Sequence, residues 1–165
     1  MKVVIALFAV FVLFILALSR GESGTFPRYT DNAMTIQNQM ALINEERQDK
    51  GLKALLENKK LNDSACEKLE DMVEHSYWAH ISPNGTRPWH WFKKVGYSYR
   101  YAGENLAYGQ DNVKELISSW MESPTHRKNI LSKQYKEQGA CTSYVDFLGI
   151  GEKTWLTVSH FGTQS

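Results

Sequence analysis

Four side chains in the loops and helix starts of this sequence are the best candidates for chemistry: His80, Glu104, Glu122 and His126. Two neutral imidazoles with nearby carboxylates can bind a divalent metal ion, zinc most readily. The same four groups can also serve as general acid and general base. Histidine and glutamate are ordinary loop and cap residues too, so their spacing alone leaves a structural role open.

Several other kinds of chemistry find no support in the sequence. It contains no G-x-G-x-x-G or phosphate-binding loop, and no H-E-x-x-H or G-x-S-x-G motif. Its formal net charge is +1, from 19 basic and 18 acidic residues. Because these charges nearly balance, we expect no strong positive electrostatic field that would attract a nucleic acid, and nucleic acid is not a predicted partner.

The N-terminus has the pattern of an export signal. Lys2 precedes an uncharged, mostly apolar run over residues 3–19, which Arg20 closes. Such a run is typical of a secretory signal, and it is slightly short of the ~20 apolar residues that a spanning helix needs. We interpret residues 1–24 as a signal peptide or an N-terminal membrane anchor with the start of a linker, and 25–33 as linker. The protein is therefore expected to be secreted, or anchored outside the cytoplasm by that segment alone.

The rest of the chain is predicted to form one α+β domain, since its 165 residues leave room for little more. Apolar periodicity predicts helices over residues 33–50, 62–76, 88–95 and 111–121, with a further helical turn opening at Ser123-Pro124. Residues 97–108 are interpreted as a loop with a short extended piece. Alternation predicts strands over residues 139–148 and 153–162. Helices first and a hairpin last favour an antiparallel sheet.

The two cysteines, Cys66 and Cys141, leave two alternatives open. Outside the cytoplasm they can form one disulfide. They can equally be two small buried thiols in separate elements. The sequence does not give the distance between them, on which a bond depends.

Four motifs, in order along the chain, closely resemble the bacterial, extracellular SCP-like branch of the CAP superfamily. That superfamily contains cysteine-rich secretory proteins, antigen 5 and pathogenesis-related 1 proteins. The motifs are Ile43-Asn-Glu-Glu-Arg, His80-Ile-Ser-Pro-Asn-Gly, Gly103-Glu-Asn-Leu-Ala and Trp120-Met-Glu-Ser-Pro-Thr-His-Arg-Lys-Asn-Ile-Leu. The resemblance covers nearly all of the chain after the leader and places the CAP domain at residues 34–163.

The resemblance implies a three-layer α-β-α sandwich with a central, mainly antiparallel sheet. It also implies a cleft lined by two His and two Glu, which by motif position are His80, Glu104 and His126, with Glu122 as the second Glu. His80 and His126 are then the candidate metal ligands, with zinc or another divalent ion as the candidate cofactor.

Two departures from the family pattern concern the last strands. Gly139-Ala-Cys-Thr replaces the usual Gly-Val-Gly, which puts Cys141 on a core strand. This favours burial or a disulfide with Cys66. His160 is unusual before the final Phe161-Gly162.

Three functions are compatible with these residues. The preferred hypothesis is a secreted binding module whose cleft holds a lipid, a sterol, another small ligand or a surface polymer. The first alternative is a hydrolase, either a metal-assisted peptidase or a cell-wall glycan hydrolase that uses Glu104 and Glu122. The second is a structural or adhesion protein. Because no local motif marks a nucleophile or base, an enzyme is the less favoured hypothesis.

Overall fold

The computed structural model describes residues 33–147 and 151–165. Residues 1–32, which carry the predicted leader and almost all of the predicted linker, lie outside this part. The helices are α1 (Ile36–Asp49), α2 (Lys59–Glu74), α3 (Trp89–Lys94), α4 (Val113–Glu122) and α5 (Pro124–Ile130). The strands are β1 (Leu56–Glu57), β2 (Tyr99–Tyr108), β3 (Glu137–Asp146) and β4 (Lys153–Gln164). No helix in the described ranges is long and apolar enough to cross a membrane.

The strands form one sheet in the order β1-β3-β4-β2. Only β1 runs parallel to its neighbour, and the other two pairs are antiparallel. Side chains alternate across β4, so that Val158 packs under α2 while Phe161 packs with α1, α4 and α5. The sheet therefore lies between two helical layers, which confirms the predicted three-layer α-β-α sandwich and its mainly antiparallel sheet.

Two predicted elements differ from the structure. The segment interpreted as a loop is the ten-residue strand β2, paired with β4 along its length. Gly103 and Asn105 resemble turn residues locally, but the pairing with β4 outweighs that local preference. Helix α2 begins at Lys59 rather than at residue 62, because Asn58 caps it and accepts a hydrogen bond from the Lys60 N–H.

Side chains cover the outer edge of β2, the strand that carries Glu104. Three successive outward carbonyls on this edge each accept a hydrogen bond from a side chain in or just after α4 and α5. The pairs are Tyr135 Oη to Ala102 O (3.1 Å), Asn129 Nδ2 to Glu104 O (3.0 Å) and Trp120 Nε1 to Leu106 O (3.1 Å). A strand edge satisfied in this way is fixed in position and closed to further strand pairing.

A disulfide joins Cys66 on α2 to Cys141 on β3, with 5.0 Å between their Cα atoms. It ties α2 directly to the sheet. The same helix carries Ser64 and Lys68, which are fully buried and contact the residues of the candidate site. The bond therefore stabilises the position of the helix on which that site depends.

Substitution of Gly139 by Ala is expected to destabilise the domain by about 2 kcal/mol, because an added Cβ overpacks the contact between β3 and α2. The Cβ would lie 2.2 Å from the backbone N of Asn62 and 2.3 Å from the backbone C of Leu61, neither of which can rotate away. Urea unfolding measures the loss. Gly109→Ala is the control, since it meets no atom within 4 Å and carries only the strain of a positive φ, about 1 kcal/mol. Equal losses in the two variants would contradict the packing argument.

Candidate functional site

The candidate site is built around the carboxylate of Glu104 on β2. Its side chain is only 2 % exposed. One oxygen faces His80 Nδ1 at 2.5 Å, and the other faces His160 Nε2 at 3.0 Å. His160 lies directly opposite Glu104 in the register of β2 and β4. Two imidazoles from distant parts of the chain thus share one buried carboxylate.

Hydrogen bonding keeps Glu104 ionised. Burial acts to raise the pKa of Glu104, but the hydrogen bonds from His160 and His80, with the nearby Lys68 charge, leave that pKa below its usual value. An ionised carboxylate can only accept hydrogen bonds, so both nitrogens that face it must carry protons. His80 is therefore protonated at Nδ1, which leaves its Nε2 atom for the solvent side of the ring.

His160 is fixed on every side. Its Nδ1 atom lies 2.7 Å from the hydroxyl of Ser64 on α2. Both ring nitrogens of His160 thus have a partner, Glu104 at Nε2 and Ser64 at Nδ1. The ring also packs on Phe92 of α3, with 4.5 Å between the centroids. His160 is fully buried and positions Glu104 without reaching the solvent.

Sequence reasoning did not place His160 in the site, although one signal was present. His160 continues the alternation of Leu156 and Val158 on the face of β4 that packs against α2. A polar side chain at such a position requires a hydrogen-bond partner inside the protein. That partner could not be identified without the register between β2 and β4.

Lys68 positions the loop that carries His80. Its buried ammonium group donates hydrogen bonds to the carbonyls of Ala79 (2.8 Å) and His80 (3.2 Å), and to the hydroxyl of Tyr77 (2.8 Å). Burial lowers the pKa of Lys68, while the charges of Glu104 and Asp71 act to raise it. Ser64 and Lys68 are four residues apart on α2, so one face of this helix supports both histidines of the site.

His126 lies on α5, half-buried, and close enough to His80 to respond to its charge. Burial, and then the charge of His80, lower the pKa of His126, so its ring is neutral at pH 7. The His126 carbonyl accepts a hydrogen bond from the buried side chain of Asn105, at 3.2 Å. The structure thus brings three predicted site residues into one region, with Glu104 and His80 in direct contact.

A cleft of about 470 Å³ opens at His80. The His80 side chain is 53 % exposed, and the ring side opposite Glu104 is available to a ligand. The lining includes apolar and polar side chains, among them Ile81, Trp89, Tyr135, Arg87 and Asn129. Such a mixture of apolar walls and a few polar groups is typical of small-molecule sites.

Glu122 requires a correction, because the structure places it away from this cleft. It is the last residue of α4, is exposed, and accepts a hydrogen bond from Ser118 at 3.4 Å. It lines a separate surface pocket between α1 and α4. Near the end of α4, Trp120 points inward and is buried. Glu122 follows two residues later, and at that spacing its side chain lies on the opposite side of the helix.

The site supplies fewer metal ligands than a complete zinc centre needs. Within residues 33–147 and 151–165, no group of three or more His, Cys, Asp or Glu side chains is placed to hold one metal ion. Two features nevertheless fit the predicted pair of His80 and His126. Glu104 orients His80 as carboxylates commonly orient metal-binding histidines, and burial favours the neutral form of His126. A metal held here would need further ligands from water or a bound molecule.

The sandwich fold and this histidine-glutamate cleft define a CAP-type domain. The model of the family described as CAP, cysteine-rich secretory protein family, matches residues 40–147, and the chain belongs to this family.

Two Bacillus subtilis proteins are among its relatives. The chain is 43 % identical to YkwD over 98 residues, which are 59 % of this chain and 38 % of YkwD. It is 30 % identical to the membrane protein YlbC over 70 residues, 42 % of this chain and 20 % of YlbC. The chain thus spans well under half the length of these curated relatives.

Solved structures show the same fold. An extracellular SCP-domain protein of Bacillus anthracis superposes with a TM-score of 0.67 at 23 % identity, over 78 % of this chain and 40 % of that one. An outer surface protein of Borrelia burgdorferi superposes with a TM-score of 0.68 at 21 % identity, over 76 % of this chain and 90 % of that one. Both neighbours are extracellular or surface proteins.

Proposed function

We propose that this protein is a binding module that works outside the cytoplasm and holds a small ligand in the cleft at His80. One observation carries the proposal: Glu104 holds the Nδ1 side of the His80 ring, and the half-exposed ring lines an open cleft. The disulfide between Cys66 and Cys141 suits an oxidising compartment. The apolar residues 3–19 and the extracellular neighbours support the same location.

A divalent metal ion, zinc first, is the proposed partner of His80 and His126. When bound, such an ion supplies a positive centre that attracts an anionic or carbonyl oxygen of a ligand. The protein's own part is to fix the His80 ring through Glu104 and to keep His126 neutral through burial. The apolar walls of the cleft suit the hydrocarbon part of a lipid or sterol equally well.

Titration calorimetry with zinc tests the metal part of this proposal. The parent protein is expected to bind about one ion per chain, since the proposed site joins the two imidazoles on one ion, and His80→Ala/His126→Ala is expected to bind at least about tenfold more weakly. His75→Ala/His90→Ala is the matched control, because both of these side chains are exposed and outside the cleft.

Each contrary result has a definite meaning. No zinc binding by any of the three proteins would refute the metal site and leave the cleft to lipid and glycan ligands, screened by thermal shift. If His80→Ala/His126→Ala changed none of the binding properties, the protein would instead be structural or adhesive.

Hydrolysis is the second candidate function, because a histidine oriented by a carboxylate can act as a general base toward water. The position of Glu122 removes the paired carboxylates that a glycan hydrolase would need. A screen with peptide and glycan substrates tests this alternative. Turnover that falls about 100-fold in Glu104→Gln would establish it, and absence of turnover by the parent protein would favour the binding module.

A further inference from the structure

A second cavity, of about 500 Å³, lies beside the His80 cleft. Tyr135 lines both cavities and forms the wall between them. This wall is fixed, because the Tyr135 hydroxyl donates to Ala102 O and its ring stacks on Phe161. The two cavities therefore adjoin across one rigid aromatic side chain.

The second cavity is lined by cations that form no ion pair in the described part of the chain. Lys53, Lys133 and Lys136 form no ion pair within the described ranges, and no acidic side chain lines the cavity. Glu137, next to Lys136 in sequence, responds to the Lys136 charge, but its hydrogen bonds come from Asn58, Tyr97 and Gln164. The ammonium groups are thus available to an anion.

Arg47 adds a buried positive charge to the same cavity. Its side chain is almost fully buried, and burial lowers its pKa. The guanidinium group donates to the carbonyls of Lys53, Ile130 and Ser132, and it meets no carboxylate within the described residues. Carbonyl dipoles hold the group in place but leave its net charge uncompensated.

The His80 cleft also carries a cation that forms no ion pair. Arg87 lines it without an ion-pair partner in the part of the chain that the structure describes. Its lining carboxylate, Glu104, is buried, and both its oxygens are occupied by imidazoles. Although the chain has a net charge of only +1, the fold gathers cations from separate segments along these two cavities.

We propose that the two cavities form one groove for a linear acidic polysaccharide. Trp89 in the first cavity and Tyr135 between the two offer aromatic surfaces on which sugar rings stack. Arg87 at one end and the lysines at the other face the repeated anionic groups of such a chain. The half of the groove at His80 rests on the proposed function, whereas the half at Lys133 and Lys136 is new.

Binding of a polygalacturonate oligosaccharide of about six units tests the groove, measured by calorimetry at low salt. Lys133→Ala/Lys136→Ala is expected to weaken binding about tenfold, because two charge-assisted contacts are lost. Lys93→Ala/Lys153→Ala removes the same charge from exposed lysines elsewhere and is expected to change the affinity less than about twofold.

Three results would overturn the proposal: equal loss of affinity in the two double variants, equal binding of a neutral glucan, or equal binding of polyphosphate, which carries charge without sugar rings. The zinc titration separates this proposal from the proposed function. Lys133→Ala/Lys136→Ala must still bind zinc as the parent protein does, so failure of the polysaccharide test alone would leave the His80 site standing.

Discussion

Glu104→Ala is expected to lower the free energy of unfolding by about 3 kcal/mol, because removing one member of a buried charged network leaves the others uncompensated. The His80 Nδ1–H and the His160 Nε2–H would each lose their acceptor. Lys68 would lose one of the two carboxylates whose charge supports its ionised form. Urea denaturation of the parent protein and the variant measures the difference.

Glu122→Ala is the matched control for this prediction. It removes the same side chain from an exposed helix end, where the expected change is within about 0.5 kcal/mol. Similar losses in the two variants would show that Glu104 does not organise a buried network. A stable Glu104→Ala protein with unchanged zinc binding would refute the role of Glu104 in positioning His80.

Cys66→Ala/Cys141→Ala is expected to lower stability by about 4 kcal/mol. The disulfide closes a loop with a sequence separation of 75 residues, and a cross-link over such a span removes much of the conformational entropy of the unfolded chain. Because α2 also carries Ser64 and Lys68, a loosened helix should weaken binding at His80 as well.

Chemical reduction provides an independent check on the disulfide prediction. The parent protein treated with a thiol reductant should unfold at the same urea concentration as the double variant, and the variant itself should not respond to the reductant. A double variant within about 0.5 kcal/mol of the oxidised parent would contradict a stabilising cross-link.

Apolar periodicity was sufficient to predict the main helices. His80, Glu104 and His126 were predicted as one site only from the family resemblance of their motifs, because their spacing alone left a structural role open. Helix α4, predicted over residues 111–121, begins after Asn112, which caps it by accepting hydrogen bonds from the N–H groups of Lys114 and Glu115.

The supporting residues could not be found in the same way. Ser64 and His160 are 96 positions apart, and their contact exists only when α2 lies on β4. A lysine such as Lys68 is expected on the surface from sequence alone. It is fully buried here, and three oxygen acceptors around its ammonium group stabilise it there. Strand β2 was missed for a related reason, since its stability comes from pairing with β4 rather than from its own residues.

A long-range ¹H–¹⁵N NMR spectrum of the histidine rings at pH about 7.5 reads the tautomer of His80, with His80 assigned by comparison with His80→Ala. In its neutral form, His80 is expected to carry its proton on Nδ1, bonded to Glu104, with Nε2 unprotonated. In Glu104→Gln, neutral His80 should no longer prefer its proton on Nδ1, because a neutral amide does not require a donor at that position. A neutral His80 ring that carries its proton on Nε2 in the parent protein would contradict the positioning of His80 by Glu104.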